Sequence, residues 1–330
     1  MPNRRDVLKI IGAAGLGATL ATTAPLAWAQ SFPTKLVRVI TPFPAGSGPD
    51  AAMRVLGEQL ARKWGQPVVV DNRPGGNGFI AVAAFKSAPA DDHTLLLVDS
   101  NHVTTHPHTF ARLPYDPEKD FQPLGMILRT PFFIAVAADS PYRSLEDIVA
   151  AAKARPEAVT YGSWFLGSPG HIGALRLQSL RGISMRHIPY RDFGQLYAAV
   201  STKEVDWALG SVASAGGLER GGKLKFLAVA AAVRDPLYPN VPAISELPEL
   251  RGFEVAAWAG LFASRSMPTG LAERVAADLR EALDKPEVVE RYRTFGYEAP
   301  RLSPSAYAQL IRNETAAWSG VIRSANLKLD

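Results

Sequence analysis

Cysteine is absent from all 330 residues. Its absence excludes disulfides, thiolate chemistry, cysteine zinc sites and a lipidated cysteine tether. Long apolar runs are missing beyond residue 29, where no stretch of roughly 18 apolar residues could form a helical membrane span. Charge is not clustered either. The formal charge is +5, and the basic residues are scattered rather than striped, which argues against a nucleic-acid surface. No internal repeat or low-complexity tract occurs. The Gly-x-Ser-x-Gly elbow of a serine hydrolase is not found, because Gly162-Ser163-Trp164 lacks the closing glycine. What remains is a mildly basic chain suited to a small anionic ligand.

Residues 1–29 read as an export signal. Arg4-Arg5 precedes Val7-Leu8-Lys9 and a weakly apolar stretch, and Ala27-Trp28-Ala29 fits cleavage before Gln30. The arginine pair suggests twin-arginine export, with Asn3 where Ser or Thr is commoner; a Sec signal with a chance arginine pair is the alternative. The expected compartment is the periplasm. The rest of the chain is long enough for two lobes of ordinary domain size.

Beyond the leader, short apolar runs alternate with helical windows. Residues 36–40, 68–70, 94–98, 132–137, 159–161, 186–188, 207–209 and 225–230 read as strands. Residues 50–63, 79–87, 144–154, 171–180 and 193–200 read as helices. That alternation predicts α/β layers with largely parallel sheets. The last quarter is helical. One helix runs from Pro268, capped by Ser266 or Met267, to about Leu283; a short one starts at Pro286; a final one starts at Ser303-Pro304. In the last, Tyr307, Leu310, Ile311, Trp318, Val321 and Ile322 paint one face, which predicts docking on a lobe. Residues 100–123 and 235–248 read as long structured loops.

Two glycine-bearing turns carry the chemistry. The first is Pro42-Phe43-Pro44-Ala45-Gly46-Ser47-Gly48-Pro49-Asp50, between a strand and a helix. The first N–H groups of a helix lack internal partners and carry the positive end of its dipole, so such a turn can seat an anion. Gly46-x-Gly48-x-x-Ala51 with Asp71 also mimics a dinucleotide fingerprint. Against it, Pro42 and Pro44 delay the glycines past the strand, and Asp50 would oppose a pyrophosphate. A one-carbon acid fits more easily, with a water held by Asp50; alternatively, Asp50 only stabilises its own helix.

The second turn is Tyr161-Gly162-Ser163-Trp164-Phe165-Leu166-Gly167-Ser168-Pro169-Gly170-His171. Ser163 and Ser168 offer hydroxyls and Gly167 exposes backbone, while Ser168 followed by Pro169 also suits a helix cap. On facing lobes, the two turns would hold the two ends of one ligand. His102, His106 and His108 read as polar surface histidines rather than a metal site, since Pro107 intervenes and no carboxylate is expected near them before Asp116. His171 reads as a ligand contact or, preferably, a packed and hydrogen-bonded core residue.

These residues carry a family likeness. The chain resembles the Bug-type receptors of tripartite tricarboxylate transporters over essentially all of its length after the leader. The likeness rests on Pro42-Phe43-Pro44-Ala45-Gly46 with Asp50, Gly65-Gln66-Pro67-Val68-Val69-Val70-Asp71-Asn72-Arg73-Pro74-Gly75, and Leu113-Pro114-Tyr115-Asp116-Pro117 with Asp120-Phe121. It continues through Tyr161-Gly162-Ser163, Gly167-Ser168 with His171, Ile188-Pro189-Tyr190, Val205-Asp206, Gly222-Lys223-Leu224, Val241-Pro242 and Trp258-x-Gly260.

The resemblance implies a two-lobed α/β periplasmic binding protein, a type II-like Venus flytrap with two crossing hinge strands. It implies lobe 1 at residues 30–132 and 257–330, and lobe 2 at 133–256. It implies a small carboxylate ligand, held by Phe43, Pro44, Ala45, Gly46, Ser47, Asp50 and Ser100 on one side. On the other side it implies Ser163, Trp164, Phe165, Gly167, Ser168, His171, Tyr190, Asp192 and Asp206. It implies no catalysis, cofactor, metal or nucleic acid, a monomer, and membrane transporter subunits as partners. Ser47, Phe165 and Asp192 stand where the family usually has glycine. Trp164 and Phe165 add bulk that would shrink the cleft or stack on a ring, and Asp192 would repel a second carboxylate. A monocarboxylate, aromatic acids included, is therefore expected. The alternatives are an exported NAD(P)-dependent oxidoreductase and a receptor that signals to a membrane sensor.

Overall fold

The computed structural model describes residues 32–164 and 166–329. The expected export signal at residues 1–29 and the site candidate Phe165 lie outside the described residues. The chain opens with β1 (Val37–Thr41), α1 (Gly48–Trp64), β2 (Val68–Asn72), α2 (Phe79–Lys86) and β3 (Thr94–Asp99). Three short helices follow, α3 (Ser100–Thr104), α4 (His106–Thr109) and α5 (Pro117–Asp120), and then the long strand β4 (Phe121–Pro131). A second series holds β5 (Phe133–Ala137), α6 (Leu145–Ala154), β6 (Thr160–Trp164), α7 (Pro169–Arg181) and β7 (Arg186–Tyr190). It continues with α8 (Phe193–Ser201), β8 (Trp207–Gly210), α9 (Val212–Arg220) and β9 (Leu224–Val229). The chain then returns through β10 (Ala256–Ser264) to α10 (Thr269–Leu283), α11 (Pro286–Phe295) and α12 (Pro304–Ser324).

Local chemistry accounts for these elements. β1 is a short β-branched run whose Val37, Val39 and Ile40 are buried. α1 buries Ala52, Met53, Leu56 and Leu60 on one face, and Gly65 ends it in the left-handed conformation at φ 67°, its N–H returning to the Ala61 carbonyl. Ser144 and Asp147 form a reciprocal capping box at α6. α10 starts one residue later than expected, after Pro268, with no side-chain cap from Ser266 or Met267.

Each of the two lobes is built on a five-stranded sheet, ordered β2-β1-β3-β10-β4 and β7-β6-β8-β5-β9. The expectation of largely parallel sheets is corrected. β10 runs antiparallel to both β3 and β4, and β5 antiparallel to both β8 and β9. The expected loop at 100–123 contains α3, α4 and α5.

The crossing between sheets is a hydrogen-bonded knot. β4 ends at Pro131 and β5 begins at Phe133, while Val255 leads back into β10. The Phe132 N–H donates to the Val255 carbonyl (2.9 Å), the Val255 N–H to Ala230 (2.9 Å) and the Ala230 N–H to Phe132 (2.7 Å). Beside it, Arg129 on β4 pairs with Glu254 (2.6 Å) and Glu298 (2.7 Å). Glu314 of α12 accepts the Trp258 Nε1–H of β10 (2.8 Å). Burial pushes the Glu314 carboxyl up to about 7, against the pull of the Trp258 bond and the Arg129 charge.

α12 does more than dock on one lobe. It packs on α3 and β4 at one end, and on α7 of the second sheet at the other. Ile322 and Leu327 bury against Ile172, with Trp318 and Val321 around them. The Arg176 guanidinium of α7 lies over the rings of Phe253 (5.3 Å) and Trp318 (5.8 Å). The Leu329 N–H donates to the Thr109 carbonyl (3.0 Å).

Candidate functional site

Parallel strands collect their outgoing loops along one edge of a sheet, and ligand crevices of open α/β sheets lie outside that edge. In the first sheet, Thr41 is opposite Asn72 and Ile40 opposite Leu96. Residues 42–48, Asn72 and Asp99-Ser100 therefore share an edge, and β4 leaves from it. In the second sheet, Trp164 is opposite Tyr190, Gly162 opposite Ala208 and Phe133 opposite Gly210. The turn after Trp164, residues 191–193 and Ser211 line that edge. The two edges meet at the turn after α11. A Cβ on Gly296 would come within 2.8 Å of Val212, and a Cβ on Gly48 would overlap the Tyr297 hydroxyl.

The first turn is held from inside. Pro44, Ala45 and Gly46 are exposed, whereas Asp50 is 1% exposed. The Gly46 N–H donates to Asp50 Oδ2 (2.8 Å), Asn72 Nδ2 donates to Asp50 Oδ1 (2.8 Å) and to the Phe43 carbonyl (2.9 Å), and Arg54 Nε donates to Asp50 Oδ2 (3.0 Å). Burial pushes the Asp50 carboxyl up, but the bonds from Arg54, Asn72 and Gly46 outweigh it and hold it below the usual range. The expectation of a free Gly46 amide is therefore corrected: the protein's own carboxylate takes it. Gly46 sits at φ +80° with open space around it, so backbone conformation calls for glycine here. The Ser47 N–H returns to Pro44 (3.1 Å), and its buried hydroxyl has no partner. The Ala45 and Gly48 amides meet no acceptor among the described residues.

Ser100 is buried as the first residue of α3, behind Asp99. The histidine reading is corrected. His102 and His106 are buried, and a carboxylate is close after all: His102 Nδ1 lies 2.7 Å from Asp99. The Tyr115 hydroxyl donates to the His102 carbonyl (2.9 Å) and contacts His106 Nδ1 (3.0 Å). Burial, helped by His102, pushes His106 down to about 3. Among the described residues, no group of three or more His, Asp or Glu is arranged to hold a metal ion.

The second turn is aromatic. Ser163 is buried with its hydroxyl 2.8 Å from His187 Nε2. Ser168 caps α7 by accepting the His171 N–H (3.3 Å). The Gly167 N–H donates to His171 Nδ1 (3.0 Å), which puts the imidazole hydrogen on Nε2. The rings of His171 and His187 stack at 4.0 Å, and burial pushes them down to about 3 and about 4, so both are neutral. His171 thus has the geometry of a packed, hydrogen-bonded residue.

Trp164 is 8% exposed, edge-on to Phe132 (5.3 Å) and against Phe193 (4.7 Å), so its bulk goes into packing. The Tyr190 hydroxyl donates to Glu204 (3.3 Å), and burial, reinforced by Glu204, pushes it up to about 12. Asp192 caps α8 by accepting the Gln195 N–H (2.9 Å). Asp206 is not part of this edge. It accepts the Thr160 N–H (2.7 Å) and hydroxyl (2.8 Å) at the start of β6, a strand's length from the second turn.

Sequence reasoning missed Tyr297 and the exposed pair Phe193 and Leu166. It also missed Asn72 as the tie of the first turn, although Asn72 stood inside a motif quoted above.

The family model described as "Tripartite tricarboxylate transporter family receptor" matches residues 52–327. A UPF0065 protein in the tcbD-tcbE intergenic region of Pseudomonas sp. (strain P51) is 31% identical over 309 residues, covering 93% of this chain and 92% of that one. Rpa4515 of R. palustris, solved with adipate, superposes with a TM-score of 0.78 at 27% identity, covering 90% of this chain and 99% of that one. MatC of Rhodopseudomonas palustris, solved with bound malate, gives 0.73 at 28% identity over 88% and 100%.

Proposed function

The chain belongs to the tripartite tricarboxylate transporter receptor family, whose members are solute-binding receptors and not enzymes, and on that premise we propose that it captures one small monocarboxylate, aromatic acids included, in the periplasm and delivers it to the membrane subunits of such a transporter. The oxidoreductase alternative falls with the family, and Asp71 is engaged by Arg73 (3.0 Å) rather than free for a ribose.

The observation that carries the reading is the contrast between the facing edges. The first offers the Ala45 and Gly48 amides and the Ser47 hydroxyl, with Phe43, Pro44, Gly46 and Ser100 as their frame and Asp50 as their tie. The second offers aromatic and small groups: Trp164, Gly167, Ser168, His171 and Tyr190. Arg191 is an exposed cation at this edge, and Asp192 follows it in the chain with a carboxylate of opposite sign. One carboxylate is matched, and a second is not. Charge-assisted hydrogen bonds contribute about 1.5–3 kcal/mol each. A few of these, less the cost of association and ordering, reach the micromolar range, about −8 kcal/mol.

We take lobe 1 as residues 30–132 with 257–330 and lobe 2 as 133–256; the crossings at Phe132 and Val255 support these limits. The leader at 1–29 belongs to the same reading. Calorimetry against mono-, di- and tricarboxylates tests it. Preference for a monocarboxylate is expected, and a clear preference for a citrate-like acid overturns it. Adipate and malate, the ligands of the two solved relatives, are the natural competitors in that panel.

A further inference from the structure

We propose that Phe193 selects the ligand, its exposed ring forming the wall on which the apolar body of the monocarboxylate lies; the inference rests on the function proposed above. Three aromatic rings form a row from the crossing to the rim of the second sheet. Phe132, in the crossing, is 3% exposed; Trp164 is 8% exposed; Phe193 is 43% exposed. Phe132 meets Trp164 edge-on at 79°, and Trp164 meets Phe193 at 4.7 Å. Phe193 is also parallel to Tyr197 (5°, 6.3 Å). Its backbone is set by Asp192, which caps α8 immediately before it. The ring is thus fixed from two sides and open on a third.

Phe193 stands at the edge of the second sheet that carries the second turn. Tyr190 ends β7 opposite Trp164, and Phe193 follows three residues on. Leu166, also 43% exposed, extends the apolar rim beyond Trp164. A large exposed aromatic on a fixed backbone is a recognition surface rather than core. The occupant follows from the opposite edge. The Ala45 and Gly48 amides seat one negative group, so the remainder of the same small molecule reaches the second edge. Beside Arg191 and Asp192, what waits there is the carbon of Phe193 and Leu166. The chemical class is therefore an acid with one carboxylate and an unbranched or aromatic hydrocarbon body.

The test uses straight-chain monocarboxylates from propanoate to octanoate, with phenylacetate and adipate, titrated calorimetrically into the full chain and into Phe193→Ala and Phe193→Leu. In the unaltered protein, affinity is expected to rise about fourfold per methylene until the wall is covered. Phe193→Ala should flatten that rise and weaken phenylacetate about tenfold. Phe193→Leu should restore the chain-length rise without restoring phenylacetate. Monocarboxylate affinities that stay within twofold in Phe193→Ala overturn the assignment of Phe193 alone. Binding of adipate without any monocarboxylate overturns both this inference and the reading beneath it. Phe193→Ala should lower the unfolding temperature modestly, because the ring packs on Trp164 and Tyr197, while a folded state that still binds acetate-sized acids separates lost recognition from lost fold.

Discussion

The two strand-to-helix turns are built on opposite principles. The first is polar and closed on itself: Asp50, Asn72 and Arg54 fix its backbone from beneath and leave the outer amides free. The second is aromatic and closed by packing: Trp164, Phe193 and the His171–His187 stack fill the space that hydrogen bonds fill in the first. One sequence pattern, strand then glycine then helix, thus produced a hydrogen-bonded turn with outward amides in one place and a packed aromatic cluster in the other. The lesson is that glycine marks where backbone is available, while neighbouring side chains decide what it is available for.

The sharpest way to break the comparison is to place a charge in the seat. Ala45→Glu should weaken monocarboxylate binding more than a hundredfold with thermal unfolding unchanged, because Ala45 is exposed; retained binding would move the seat elsewhere. Ala45 is a better probe than Gly46, where a side chain would also strain a left-handed backbone. The second turn should respond through packing instead. A Cβ at Gly170 would lie 2.8 Å from the Trp164 ring, so Gly170→Ala should lower stability by about 1–3 kcal/mol, read by chemical denaturation.

A third prediction concerns the crossing between the turns. Burial raises Glu314 from 4.5 to about 7, so the folded state binds its proton more tightly than the unfolded chain. That contribution is fully present below about pH 4.5 and is lost as pH rises through 7. At about 1.4 kcal/mol per unit, the change is at most about 3 kcal/mol. Glu314→Gln should remove it, so variant minus parent stability should increase between pH 5 and 8; a flat difference would sink the idea. Asp50 carries the opposite sign. Its carboxyl is held low, so its contribution is present above about pH 4 and is lost as pH falls through the folded value. The smallest effect belongs to Asp206. Asp206→Asn should leave ligand affinity within twofold, since its partners sit at the far end of β6.

Much of this was legible in the chain. The alternation of short apolar runs and helices located eight of the strands, and the stripe from Tyr307 to Ile322 located α12, because burial leaves a period in the sequence. β4 and β10 escaped because they are long-range structures. Pro123 and Gly125 interrupt β4, β10 is rich in alanine and glycine, and both owe their existence to pairing with each other. α9 was hidden by Gly216-Gly217. At the site, the glycines and caps were readable, but the buried role of Asp50 was not, since its partner Asn72 comes from the next strand. The same holds for Tyr297, which reaches the first turn from the far end of the chain.

The C-terminal strap alters what separation of the lobes entails. Leu327 and Leu329 lie against Gly167 while the Leu329 amide is anchored at Thr109. Swinging apart therefore requires stripping this leash from the second turn and wetting the greasy contact of Ile172 with Ile322. Any opening of the crevice would therefore have to break contacts made by the last few residues, far along the chain from either turn.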